Sequence, residues 1–186
     1  MDPNMTLEKR IAAELYSYQG KMSVFVDDLR GHTVERGADE EFETASVIKA
    51  FILAALYAQA ECGKASLTEE IAYEKSQFVD GSGMLRALGV GAKLKVRDTA
   101  TMMIICSDNI ATNMLIDYLW LDPINACIRE LGFAHTILHN SLHFVRSHQL
   151  GTPTPRARSM PLPSTNWLAS YSISAERSAL PRSACR

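Results

Sequence analysis

The sequence predicts a mixed α/β fold, and three observations carry that expectation. The apolar period switches from helical to two near the N-terminus, an apolar helix follows, and punctuated helices then run on to Gly132. The 186 residues are 47% hydrophobic and 22% charged with a formal net charge of -2, ordinary values for one soluble globular domain. A nearly balanced charge with no basic stripe on any helix removes nucleic acid as the default partner.

Leu7, Ile11, Leu15 and Tyr18 fall at helical spacing, with Thr6 as N-cap and Gly20 past the end, so an amphipathic helix is expected over Leu7 to Gln19. Met22, Val24 and Val26 then alternate. The turn Asp28-Leu29-Arg30-Gly31 and a return through His32, Val34 and Arg36 complete a hairpin. Thr44 to Ala60 is apolar on nearly every side, which predicts a helix buried all round, stopped by Gly63. Ser66-Leu67-Thr68-Glu69 reads as a capping box opening a helix to about Lys75. Asp80-Gly81-Ser82-Gly83 is a turn, and Gly89 and Gly91 punctuate the stretch before Lys93. Asp98 is expected to cap a helix through Ile105, and a second helix spans Ile110 to Leu119. Asp122-Pro123 supplies an N-cap and a first-turn proline for a last helix ending at Gly132.

From residue 152 onward the texture changes. Five of the seven prolines, seven serines, five arginines and a single acidic residue, Glu176, lie there without helical or strand period. Cys62, Cys106, Cys127 and Cys185 show no paired spacing and are too sparse for a disulfide scaffold or a zinc site. The apolar run Ala50 to Ala60 is too short to span a bilayer, and MDPNMTLEKR has no apolar leader core. A cytoplasmic location is therefore expected for the chain as written, or a periplasmic or secreted one if a leader has been removed.

Lys49 is the only charged side chain between Thr44 and Ala60, and a buried ammonium needs partners or a lowered pKa. Ser46 lies three residues earlier, on the same helical face at a Cβ separation of roughly 5–6 Å. This places a hydroxyl nucleophile beside a potential base, with the free N–H groups of a helix N-terminus nearby for an oxyanion. A bare S-x-x-K string is also common by chance, Ser46 also suits a cap, and Lys49 can also reach water. Ser107-Asp108-Asn109 breaks two apolar helices, either as polar residues facing a cleft or as ordinary N-caps.

Together, Ser46-Val47-Ile48-Lys49 and Ser107-Asp108-Asn109 resemble the motifs of the class A β-lactamase and penicillin-binding-protein superfamily. Glu43-Thr44-Ala45-Ser46, Asp80-Gly81-Ser82-Gly83, Val96-Arg97-Asp98, Ser107 to Asn113 and Arg129-Glu130-Leu131-Gly132 also look like this family. The similarity covers roughly Leu7 to Pro155. It implies the β-lactamase-like fold of serine β-lactamases and D-Ala carboxypeptidases: an α/β lobe plus an all-α lobe, with the nucleophile helix between them. On that basis residues 1–43 are the helix and hairpin of the α/β lobe, 44–155 the nucleophile helix and helical lobe, and 156–186 a divergent, poorly ordered tail. The resemblance further implies Ser46 as the nucleophile attacking a β-lactam carbonyl and Lys49 as its base or relay. Ser107 would pass a proton to the leaving nitrogen, Asn109 would bind the substrate amide, and Asp108 would hold the loop from inside. No metal or other cofactor is implied.

The chain also departs from the pattern. The Lys-Thr/Ser-Gly strand is absent, since no lysine follows Lys95, and with it go oxyanion and carboxylate donors individually worth roughly 3 kcal/mol. The α/β lobe is thus expected to be incomplete, and the terminal helix missing. Between Leu131 and Ala175 there is no Asp or Glu to activate a deacylating water. A histidine in the His139-Asn140-Ser141-Leu142-His143-Phe144 stretch would have to stand in; His143 has a pKa suited to base work, but an isolated loop histidine is more often a hydrogen-bonded surface residue. Truncation or a frame change after about Pro155 is the simplest account.

The leading expectation is a β-lactam-opening serine hydrolase that acylates without turnover, on a small β-lactam or acyl-peptide substrate. A penicillin-binding or D-Ala-D-Ala carboxypeptidase enzyme comes second, a non-catalytic helical binding module third, and a glutaminase with a related Ser-Lys pair last. A monomer is expected, without membrane or nucleic-acid partners, although an exposed sheet edge gives a route to association.

Overall fold

The computed structural model describes residues 6–37 and 40–142 and the backbone of 156–158. These residues fall in two compact units, one reaching Phe42 and the other starting at Glu43.

In the first unit, Thr6 Oγ1 accepts the Lys9 N–H at 3.4 Å and opens α1 (Leu7–Leu15). The helix stops short of the expected Gln19, because none of its residues is buried and nothing draws a further turn inward. β1 (Val24–Asp27) and β2 (Thr33–Arg36) pair antiparallel, with Val24 opposite Arg36 and Asp27 opposite Thr33. The Asp28 carboxylate closes their turn by accepting the N–H groups of Arg30 and His32 at 2.8 and 3.0 Å. Those two bonds hold its carboxyl below the usual carboxylate value. β3 (Glu41–Glu43) follows.

In the second unit a single 3₁₀ turn at Ala45–Val47 leads into α2 (Ile48–Glu61). Ile48, Ile52 and Leu56 are fully buried, but Val47 is 66% and Tyr57 43% exposed. The expected all-round burial is therefore corrected. One side of this helix meets solvent, since hydrophobic residues are free to lie outside.

The expected helix from Ser66 to Lys75 is replaced by a strand, β4 (Glu70–Ala72), which pairs antiparallel with β5 (Lys93–Lys95). Cross-strand neighbours decide the outcome: Glu70 lies opposite Lys95 and Ile71 opposite Leu94, with both apolar residues packed on the core. The Ser66 side chain meets Thr68 Oγ1 at 3.1 Å within a turn, and a capping box forms later, where the Glu74 N–H donates to Gln77 Oε1 at 2.8 Å.

α3 (Val96–Ile105) starts before Asp98. Its first N–H groups need no side-chain cap, because Val96 and Arg97 donate to the carbonyls of Glu69 and Leu67 at 2.8 and 3.0 Å. α4 (Asn109–Leu119) is followed at once by α5 (Leu121–Glu130), which leaves Asp122 and Pro123 inside its first turn. Trp120, with a positive φ of 67°, breaks the helical backbone between them. A short strand, β6, covers Arg156–Arg158. Among the described residues no helix is long and apolar enough to cross a membrane. His143, the segment Leu150 to Pro155 and the tail past Arg158 lie outside the described residues.

The core of this unit is helix on helix. α3 packs on α4 and α2 on α5, joining Ile52, Leu56, Met103, Met114, Leu115, Ile124 and Ile128, with Phe51 edge-on to Phe133 at 4.9 Å. α4 is the central element, buried without interruption from Asn109 to Ile116. Its one amide at mid-helix, Asn113, donates to the carbonyls of Gln77 and Leu142 at 3.1 and 3.0 Å and accepts the Leu142 N–H at 2.7 Å. Asn113→Leu is expected to cost about 3 kcal/mol, since it strands three buried backbone groups. Urea denaturation, together with faster amide exchange at Leu142, checks this.

Candidate active site

The 3₁₀ turn ahead of α2 and the break between α3 and α4 converge on one cluster. Ser46, on the turn, is exposed; Lys49, in the first turn of α2, is 3% exposed. The Lys49 Nζ donates to Ser46 Oγ at 3.3 Å, Ser107 Oγ at 2.9 Å, the Ser107 carbonyl at 2.7 Å and Asn109 Oδ1 at 2.8 Å. Ser46 Oγ and Ser107 Oγ are themselves 2.9 Å apart. Ser46, Lys49, Ser107 and Asn109 thus form one hydrogen-bonded group, drawn from positions 61 residues apart.

Burial pushes the Lys49 ammonium below the ordinary lysine value, and the Asp108 carboxylate partly opposes that shift. The four oxygens around Nζ are two hydroxyls, a backbone carbonyl and a side-chain amide oxygen, so no carboxylate bonds to it directly. A neutral amine is therefore accessible closer to physiological pH than for an exposed lysine. That is the condition for taking a proton from a serine hydroxyl.

Two non-glycine residues beside the cluster have left-handed backbone, Ala45 at φ 45° and Ser107 at φ 49°. Such conformations cost of order 1–3 kcal/mol each and persist where the surroundings enforce them. At Ser107 the enforcing contacts are the two bonds that Lys49 makes to its carbonyl and hydroxyl.

Asp108 faces the other way and is 1% exposed. Its Oδ2 accepts the N–H groups of Met84 and Leu85 at 2.6 and 2.8 Å, and its Oδ1 caps α4 by accepting the Ala111 N–H at 2.9 Å. Its carbonyl receives the Thr112 hydroxyl at 2.7 Å. The segment 80–85 holds Asn109 as well: the Asp80 carbonyl accepts its Nδ2 at 3.2 Å and the Ser82 carbonyl its N–H at 3.0 Å. Sequence reasoning marked 80–83 as a turn and missed this supporting role, which rests on backbone carbonyls and N–H groups that leave no mark in residue type. Among the described residues no group of three or more His, Cys, Asp or Glu side chains is placed to hold a metal ion.

A family model described as the β-lactamase enzyme family matches residues 6–169, continuing beyond Pro155. The β-lactamase ROB-1 of Haemophilus influenzae is 28% identical over 163 residues, covering 84% of this chain and 52% of that protein. A solved β-lactamase from Sphaerobacter thermophilus is 30% identical with a TM-score of 0.72, over 80% of this chain and 56% of that one. The structure of PBP-A is 27% identical with a TM-score of 0.68, over 81% and 56% of the two chains. The chain spans about half the length of the curated relatives it matches, and over the part covered it has the fold of these two solved structures.

Proposed function

Because the chain belongs to the β-lactamase enzyme family, we propose that it is a serine acyl-transfer enzyme whose exposed Ser46 opens β-lactams. One observation carries the reading: an accessible hydroxyl lies 3.3 Å from a buried amine and 2.9 Å from a second hydroxyl. Ser46 Oγ attacks the lactam carbonyl carbon, and its proton passes to neutral Lys49, directly or through Ser107. The carbon–nitrogen bond then breaks as Ser107 hands its proton to the departing nitrogen and takes one back from the Lys49 ammonium, 2.9 Å from its Oγ. Asn109 already accepts from Lys49 through Oδ1 and donates from Nδ2 to Asp80, so the second N–H of Nδ2 is the one that meets the substrate amide. Asp108 fixes the loop that carries both.

No Asp or Glu lies between Leu131 and Ala175, so the ester is expected to persist. That absence equally favours a second reading, a penicillin-binding or D-Ala-D-Ala carboxypeptidase enzyme, and PBP-A is among the similar structures.

Incubation with penicillin followed by peptide mass spectrometry tests both. A lasting adduct on the Ser46 peptide supports acylation without turnover, as in a binding protein. Rapid release of opened penicillin supports a lactamase. Absence of any adduct or product overturns acyl transfer and leaves a non-catalytic helical module.

A further inference from the structure

We propose that Gly83 is a positioning residue of the Ser46 centre, acting through Asp108; the proposal rests on the acyl-transfer reading. Gly83 has φ +122°, in the region where side chains are strained, but the space around it matters more. A Cβ there would overlap the Asp108 carboxyl carbon and Oδ2 and approach Asp108 Cα to 2.6 Å. The obstacle includes backbone, so a rotamer change does not relieve it. The bare Cα of Gly83 is the surface against which the Asp108 side chain lies.

That contact connects directly to the chemistry. The next two residues, Met84 and Leu85, give the N–H groups that hold Asp108 Oδ2. The preceding Asp80 and Ser82 give the carbonyls that hold Asn109. On either side of Asp108 in the chain are Ser107 and Asn109, which supply three of the four oxygens around the Lys49 amine. A methyl group at 83 must therefore separate segment 80–85 from residues 107–109, and the hydroxyl and amide that face Lys49 move with them.

The test compares Gly83→Ala with Gly91→Ala. Gly91 has a similar left-handed backbone, φ +94°, yet a Cβ there meets nothing within 4 Å, so it reproduces the backbone strain without the overlap. Labelling by a fluorescent penicillin is followed in time, separating the rate constant from the fraction finally labelled. Amide exchange is measured at Met84, Leu85 and Ala111, the three donors to the Asp108 carboxylate.

In Gly83→Ala the rate constant is expected to fall about 100-fold, the scale for a displacement of about 1 Å in a catalytic group, and the three amides to lose protection. Gly91→Ala should keep the parental rate constant. A Gly83→Ala chain that labels to a lower final fraction at the parental rate overturns the proposal, because the glycine then serves folding alone. Unchanged exchange at the three amides overturns it as well. Failure of the unsubstituted chain to label overturns the acyl-transfer reading instead, and the exchange data then decide separately whether Gly83 seats Asp108.

Discussion

Replacing Lys49 by methionine is expected to slow formation of the Ser46 ester by about 10²–10⁴-fold, the range for losing a positioned base. Methionine keeps the length and fills the buried volume, so the loss reports on the amine rather than on a cavity. The same substitution is expected to flatten a pH dependence. Labelling of the parent should rise with pH through the lowered pKa of Lys49, as the neutral amine appears.

The stability of the parent should move in the same direction. The folded chain releases the Lys49 proton at lower pH than the unfolded chain. Between that lowered value and about 10.5 the unfolded state therefore binds more protons, and stability rises with pH. Below the lowered value both states carry the proton and the penalty for the buried ammonium is fully present. In Lys49→Met this contribution vanishes. Labelling time courses and urea denaturation across pH check both statements, and a parent whose labelling ignores pH would refute the role of the amine.

Asp108→Ala is expected to be the most damaging substitution for stability, costing about 4 kcal/mol. It strands the N–H groups of Met84 and Leu85 at the site and removes the cap of α4 at the Ala111 N–H. For a chain of this length that corresponds to a fall in Tm of about 8–16 °C. Asp108→Asn keeps an acceptor oxygen for the two loop amides and is expected to lose roughly half as much. Calorimetry on the two variants orders them.

Much of the molecule could be read from residue order where the cause was local. Thr6 announced α1 and the alternation of Val24, Val26 and Val34 announced the hairpin, because caps and period-two patterns act over a few residues. Lys49 stood out because a lone cation in an apolar helix must find partners. Causes at a distance were missed. Ser66 to Glu69 spells a helix start, yet pairing with Lys93–Lys95 overrides it. Asp98 and Asp122 look like caps, but the carbonyls of Glu69 and Leu67 serve one helix start and the positive-φ break at Trp120 sets the other. The pairing of Gly83 with Asp108 is invisible for the same reason. A glycine signals a turn, but nothing beside it in the chain names the carboxylate that needs the missing side chain.

The amine at the centre of the site has a stoichiometry of its own. An ammonium offers three hydrogens to four oxygens, and the hydroxyls of Ser46 and Ser107 add two more. Several assignments of hydrogens to lone pairs then fit the same heavy-atom frame, much as in ice. Exchanging one assignment for another requires only that hydroxyls swivel. The frame is stiff while its hydrogens are permutable, so a proton can change owner there without any atom of the backbone following it.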